Sequence, residues 1–268
     1  MTLGVVISTY NKPSYLKLTL EGYCHQTRKV DEVVIADDGS KEETRQLIDS
    51  YRDRLPIKHV WHEDRGFQKS EILNKALLAA EADYLIFTDQ DCIPREDFVA
   101  VHAAHAEQGY FLSGGYFKMT MPVTEQVSER EIESGEVFSI GWLRSKGQPW
   151  SFRLTKLFRS EWYAWLLNHI TPAAASWNGC NASGWRKDML AINGYNEDMH
   201  YGGQDREFGE RLWDMGIRSK QLRYSAIVMH LDHKRPYKTP ETLAKNKAIR
   251  KHTREAHVIK TPNGIEKL

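Results

Sequence analysis

Cysteine is scarce in this 268-residue chain: Cys24, Cys92 and Cys180 are odd in number, far apart and without C-x-x-C spacing. That excludes a disulfide framework or a zinc knuckle and suits a reducing compartment. Long apolar runs are missing too; none approaches the ~18–20 residues that cross a bilayer. The opening residues MTLGVVISTYNKPS hold neither a basic segment nor an apolar stretch long enough for a secretory leader, so a cytoplasmic location is expected. No charge sign dominates: 37 Lys and Arg against 36 Asp and Glu leave +1, which speaks against nucleic acid as a partner. Internal repeats and low-complexity tracts are absent. With 41% hydrophobic residues and a mean hydropathy of −0.58, the chain is neither disordered nor fibrous. Its length allows one large domain or two small ones.

The first hundred residues alternate between two patterns. Short β-branched apolar runs at 3–9, 31–40, 57–63 and 83–92 read as strands buried on both faces. Segments 14–26, 41–54 and 69–82 carry apolar residues at helical spacing. Strand alternating with helix predicts a parallel sheet covered on both faces, with ligands beyond the carboxyl ends of its strands. Those ends read Thr9-Tyr10-Asn11, Asp37-Asp38-Gly39-Ser40 and Asp89-Gln90-Asp91. Further on, 113–117 suggests a strand entry and 120–136 a loop or surface helix. Segment 176–195 reads as strand, glycine-rich turn and short helix, and 225–233 as a strand ending in two histidines. The pattern at 205–216 predicts an amphipathic helix with Phe208, Leu212 and Met215 on one face and Gly216 just past its end.

Asp89 and Asp91 follow an apolar strand. In an extended chain, residues i and i+2 face one side, so both carboxylates would converge on a hard divalent ion, Mn²⁺ or Mg²⁺, with phosphate oxygens as its other ligands. A solvated acidic turn is the plain alternative. Asp37 and Asp38 could accept from a base N–H or a ribose hydroxyl, or could build an Asx turn, and both could hold together.

The runs VVISTYN, VVIADDGS, DRGFQKSEILNKAL and YLIFTDQD, in this order, resemble the nucleotide-sugar-binding half of family 2 glycosyltransferases of the GT-A fold. The run NGCNASGWRKDMLAINGYNEDMHYGGQDREFGERL is similar to the C-terminal segment shared with β-1,4-galactosyltransferases and bacterial chondroitin-type polymerases. The resemblance covers about 3–118 and 176–233. It implies an α/β, Rossmann-like, mostly parallel central sheet with flanking helices. One GT-A domain would then hold a nucleotide-sugar half, 1–118, and an acceptor half, 119–268, with a basic tail at 234–268. It implies that Asp37 and Asp38 read uracil and ribose, that Asp89 and Asp91 hold Mn²⁺ on the UDP diphosphate, and that Asp205 is the catalytic base. It further implies an inverting transfer from a UDP-sugar to a saccharide, lipid-linked or not, in bacterial surface polysaccharide or lipopolysaccharide assembly.

Chemistry supports the base independently. Gly202-Gly203 permits a sharp bend and leaves room for a sugar, and Asp205 then opens a helix. It could equally cap that helix, whose N-terminus would favour the ionised form and weaken the base. Related enzymes carry an acid where Gln204 stands; Glu207 is the fallback base. His230 is expected as a further metal ligand, with His233 as the substitute, against a plain pair of histidines. Arg65 and Lys69 are expected to pair with the diphosphate or to be solvated charges. Asn178, Gly179, Asn181 and Trp185, with Gly203 and Gln204, are expected at the donor and acceptor sugars, core packing being the alternative for Trp185. Residues 142–167 interleave aromatic and aliphatic residues, among them Trp142, Trp150, Phe152, Leu157, Phe158, Trp162 and Trp165, with cations such as Arg153 and Lys156. They read either as contact with an anionic membrane on its inner face, as an acceptor lid, or as helices covering the sheet. The tail 234–268 has ten Lys/Arg against three Asp/Glu, which supports the first. A sugar-phosphate nucleotidyltransferase would want a glycine-rich basic loop after the first strand, and this chain has Thr9-Tyr10-Asn11-Lys12-Pro13. A non-catalytic nucleotide-sugar-binding protein is the third reading, opposed by the retained Asp89, Asp91 and Asp205.

Overall fold

A computed structural model describes residues 1–234 and 239–267. The first half alternates as the apolar runs predict: β1 (Leu3–Thr9), α1 (Pro13–Cys24), β2 (Glu32–Asp37), α2 (Glu42–Ser50), β3 (Ile57–Trp61), α3 (Lys69–Ala79) and β4 (Tyr84–Asp89). A short β5 (Cys92–Pro94), α4 (Phe98–His105) and β6 (Tyr110–Lys118) follow. Residues 120–136 hold two short helices, α5 (Met121–Thr124) and α6 (Glu129–Glu133). A 3₁₀ turn at Glu136–Phe138, α7 (Ile140–Ser145), a second 3₁₀ turn at Phe152–Leu157 and α8 (Glu161–Ile170) complete the middle. The last part is β7 (Ala182–Trp185), α9 (Arg186–Ala191), α10 (Gln204–Asp214), β8 (Arg218–His230) and α11 (Pro240–Glu255).

One eight-stranded sheet runs β3-β2-β1-β4-β7-β6-β8-β5. β1, β2, β3 and β4 pair in parallel, and so do β6 and β8; β7 runs against β4 and β6, and β5 against β8. Alternate residues of the parallel strands feed two cores. Val5, Ile7, Val33 and Ile35 pack with Leu20 and Phe98 on one face. Val6, Val34, Leu85 and Phe87 pack with Ile72, Leu77 and Phe208 on the other. Burial of both faces explains why these strands are apolar throughout rather than alternating. A third core joins Phe117, Leu143, Leu154 and Leu157 to Ile227 and Met229, so the middle segments cover the β6–β8 end.

Three expectations change. The strand expected at 225–233 begins seven residues earlier, at Arg218. In segment 176–195 the turn precedes the strand, because β7 starts only at Ala182. The basic tail is not a loose extension. Thr239 caps α11, which packs on α10 through Arg250 and Arg254 on Glu210. Residues 235–238 and 268 of that expected tail lie outside the described residues. No helix among the described residues is long and apolar enough to cross a membrane.

Candidate active site

The carboxyl ends of β1, β2 and β4 form one polar edge. Thr9 is buried, and its hydroxyl donates to Gln90 Oε1 at 2.6 Å. Tyr10 is exposed and donates its hydroxyl to Asp64. Asn11 takes a left-handed φ of 44° and accepts from the Lys41 N–H, which braces the turn after β1 against the turn after β2. Asp37 is sealed in: Oδ1 accepts from Ser40 N and Oδ2 lies 2.9 Å from His59 Nε2. It builds the Asx turn and has no surface for a nucleotide, which corrects its expected direct role. Asp38 is held by His62 Nε2 at 2.7 Å and by Gln68 N at 3.0 Å. Burial raises its pKa, with His62 opposing.

Asp89 ends β4. Its Oδ1 accepts from Ser8 Oγ and from Lys69 Nζ, both at 2.5 Å. Lys69 therefore points into the edge, as the counter-ion of an acid rather than a free phosphate ligand. Burial would lower its pKa, but Asp89 and then Asp205 hold it above the ordinary lysine range. Asp205 stands in the first turn of α10, near enough to feel the charges of both Lys69 and Asp89. The enclosed Oδ1 of Asp205 has no hydrogen-bond partner among the described residues. A Cβ on Gly179 would come within 2.4 Å of it, so only glycine fits there. Burial raises Asp205 to about 6; Lys69 pulls down and Asp89 pushes up. The expected weakening by the helix N-terminus is thus reversed, because desolvation outweighs the dipole.

Among the described residues, Asp91 is grouped with Cys92 and His230, not with Asp89, as a set of potential metal ligands. The chain turns at Gln90 and Asp91 instead of staying extended, so the i, i+2 rule does not apply. Asp91 faces the end of β8: Oδ2 lies 2.8 Å from His233 Nε2 and 3.7 Å from His230 Nε2. Burial would raise its pKa, but the hydrogen bond from His233 and the charges of both histidines bring it to about 2. The two imidazoles are parallel, 5.8 Å apart. Each places Nδ1 on a backbone carbonyl, His230 on Leu231 and His233 on Lys234. A carbonyl can only accept, so Nδ1 carries a hydrogen, and Nε2 faces Asp91 either protonated, as the ion pair that lowers Asp91, or as a lone pair when a cation lies between them. Two acceptors 2.8 Å apart need a proton or a cation between them. One carboxylate and two imidazoles fit Mn²⁺. Asp91, Cys92 and His230 also present ligand atoms within 4.8 Å of one another.

Several expected contacts fall elsewhere. Asn181 is fully buried: its Nδ2 donates to the carbonyls of Gly115 and Ala226, and its Oδ1 meets His102 Nε2. Its amide is committed to stapling the sheet. Trp185 lies opposite Tyr84, at the amino end of β4, because β7 is antiparallel; it packs edge-on against that ring, away from the acids. The glycine turn has the expected positive φ, 104° at Gly202 and 100° at Gly203. The space it leaves is filled by Leu243 and Arg250 of α11, not left for a sugar. Gln204 is buried and accepts from Gly202 N. Glu207 is sealed in an ion pair with Arg211 at 2.8 Å, which removes it as a substitute base. Arg65 is exposed and pairs with Glu71. Asn178 accepts from the Cys180 thiol beside Gly179. Sequence reasoning passed over Ser8, His59 and His62. The signal lay in the parallel register, which sets Ser8 against Asp89 and β3 beside Asp37.

The profile of Glycosyl transferase family 2 matches residues 4–165. A second, described as N-terminal domain of galactosyltransferase, matches 168–234. Validoxylamine A glucosyltransferase of Streptomyces hygroscopicus subsp. jinggangensis (strain 5008) is 31% identical over 80% of this chain and 52% of its own length. Chondroitin synthase of Pasteurella multocida (strain Pm70) is 27% identical over 80% of this chain and 23% of its own. The chain thus spans about half, or less, of the curated relatives it matches. Among solved structures, S. aureus TarS 1–349 in complex with UDP-GlcNAc aligns with a TM-score of 0.65 at 17% identity, over 93% of this chain and 65% of that one. Mannosyltransferase PcManGT from Pyrobaculum calidifontis, in complex with GDP-Man and Mn²⁺, aligns with a TM-score of 0.59 at 20% identity, over 95% and 62%. These likenesses show a GT-A-like α/β fold.

Proposed function

The chain belongs to glycosyl transferase family 2, and on that premise we propose an inverting, metal-dependent transfer of a sugar from a UDP-sugar to a hydroxyl of a saccharide acceptor. The observation that carries the reading is Asp205: a carboxylate with an enclosed oxygen unpartnered among the described residues and a pKa raised to about 6, within the electrostatic reach of the Lys69–Asp89 pair. A base works best with a pKa near the operating pH. In the step proposed, Asp205 takes the proton of the acceptor hydroxyl. That oxygen bonds to the anomeric carbon from the face opposite the diphosphate, and UDP departs with the electron pair of the broken C–O bond. Lys69 keeps Asp205 ionised and in place. Ser8 and Lys69 orient Asp89. Thr9, Gln90 and Asn11 brace the nucleotide edge, where Tyr10 and Arg65 are exposed and Asp38 lies buried beneath. Mn²⁺ or Mg²⁺, when held by Asp91, His230 and His233, supplies positive charge against the leaving diphosphate.

Glucose, galactose and N-acetylgalactosamine are the donors to try first. A role in bacterial surface polysaccharide or lipopolysaccharide assembly, with a lipid-linked acceptor at the cytoplasmic face, extends the same reading. Exposed Trp150, Phe152, Trp162 and Trp165 favour peripheral contact with an anionic membrane; vesicle sedimentation with and without anionic lipid tests it. The transfer itself is tested by a nucleotide-sugar panel with Mn²⁺, reading donor binding and slow hydrolysis. Binding without hydrolysis or transfer on any acceptor would leave a non-catalytic nucleotide-sugar-binding protein.

A further inference from the structure

The 3₁₀ turn Phe152–Leu157 brings two cations against the sheet. Lys156 Nζ donates to the Tyr116 carbonyl at 3.0 Å and sits 5.4 Å from the centre of that ring. The Tyr116 ring is in turn 5.8 Å from the ring of His230, so Lys156 stands one aromatic ring from the candidate metal centre. A third cation arrives from β8. In its ladder with β6, Gly114 pairs with Leu222 but Gly115 with Ile227, so residues 223–226 bulge out of the sheet and carry Arg223 with them. The bulge is fixed, not slack. A Cβ on Gly115 would fall 1.9 Å from the Arg223 carbonyl. Asn168 of α8 accepts from Tyr224 N and donates to Ser225 Oγ, both at 2.9 Å. Among the described residues, Arg153, Lys156 and Arg223 have no carboxylate partner in ion-pair contact. Burial, then the like charges of Arg223 and Arg153, push Lys156 down to about 8. Three cations held together without counter-charge form a site short of negative charge.

We propose that Arg153, Lys156 and Arg223 form a subsite for an anionic group, carboxylate or phosphate, carried by the acceptor. The proposal rests on the transferase reading and narrows its acceptor class to acidic saccharides. Exposed Tyr116 lies beside the cations and offers a ring face to the sugar that bears the charge. The donor diphosphate is assigned, on the reading above, to a metal held by Asp91, His230 and His233, which leaves this cluster to the second substrate.

The test is an NMR titration of the full chain with Mn²⁺, with and without UDP. The probes are a disaccharide ending in glucuronate, its counterpart ending in glucose, and inorganic phosphate. The glucuronate disaccharide is expected to bind about tenfold more tightly than the neutral one, the worth of one charge-assisted hydrogen bond. Lys156→Gln, Arg223→Gln and the surface change Arg153→Gln should each erase most of that preference, phosphate should compete, and UDP affinity should move by less than about twofold. Equal binding of the two disaccharides overturns the proposal. So does a loss of UDP affinity that matches the loss of glucuronate, which would give the cluster to the donor. Arg153 is exposed, so its variant remains informative if the Lys156 variant does not fold. Absence of metal-dependent UDP binding by the parent would sink the transferase reading instead, while the anion preference is still read without nucleotide.

Discussion

Removing the charge of Asp205 separates binding from transfer. Asp205→Asn should keep UDP affinity in calorimetry and lose transfer by roughly 10²–10⁴-fold, the usual worth of a positioned base. Because burial holds Asp205 at about 6, the ionised carboxylate costs stability at neutral pH. The variant should therefore unfold at higher denaturant, by up to about 3 kcal/mol at neutral pH, the attraction to Lys69 being already contained in that pKa. A variant that transfers at the parent rate removes Asp205 from the mechanism. The same pKa fixes the acid limb of the rate: the base needs its charge, so kcat/KM should fall as pH drops through about 6. Asp91→Asn should act differently. With one of the three proposed ligands gone, Mn²⁺-dependent UDP affinity should drop by roughly 10–100-fold, and chelation of the metal from the parent should lower it at least as far. Metal-independent UDP binding of unchanged strength would remove Asp91, His230 and His233 from that role.

At the scale of elements, Gly115 governs the bulge of β8. Gly115→Ala places a methyl 1.9 Å from the Arg223 carbonyl, and backbone cannot yield as a side-chain tip does. A loss of about 2–4 kcal/mol is expected in urea unfolding. Gly141→Ala, whose nearest neighbour is 3.6 Å away inside α7, should be neutral or stabilise by up to about 1 kcal/mol. A neutral Gly115→Ala would show that the bulge is not rigid. The elements of the first half were legible because each buried strand is a bare apolar run between polar turns; β1 falls where the run does. α10 was legible from Phe208 and Leu212 on one face, with Gly216 at a φ of 90° past its end. The reversal of β7 was not legible. A four-residue strand carries no sign of its direction, and that direction took Trp185 from the site. Asp91 and Asp205 were legible as chemistry because acids at strand and helix ends are conspicuous. The partners of Asp37, Asp38 and Asp89 were not, since His59, His62 and Lys69 look like ordinary charges until the fold aligns them. The filling of the Gly202-Gly203 turn by α11 depends on contacts about forty residues apart, which no local pattern records.

For the whole molecule, two buried groups set opposing slopes of stability against pH. His102 is fully buried between Ser183 and Asn181, and desolvation lowers it from 6.5 to about 4. Its neutral form is the folded one. Stability is therefore complete above pH 6.5 and is lost as pH falls toward about 4, by up to roughly 3 kcal/mol. Asp205 has the reverse sign: its folded pKa is raised, so the cost of its charge is relieved as pH falls from about 6 toward 3.8. The parent should lose stability more gently across this window than Asp205→Asn, which lacks the opposing slope of Asp205. Parallel curves for the two proteins in urea titrations at pH 4.5 to 7 would refute this pairing of slopes.

The strand order has one more consequence. β4 ends at Asp89, yet its outer neighbour, β7, begins only at Ala182. During synthesis at ~5–20 residues per second, the nascent half-sheet would present the bare backbone of β4 for roughly 5–20 s before its partner leaves the ribosome. Chaperone capture should concentrate in that interval.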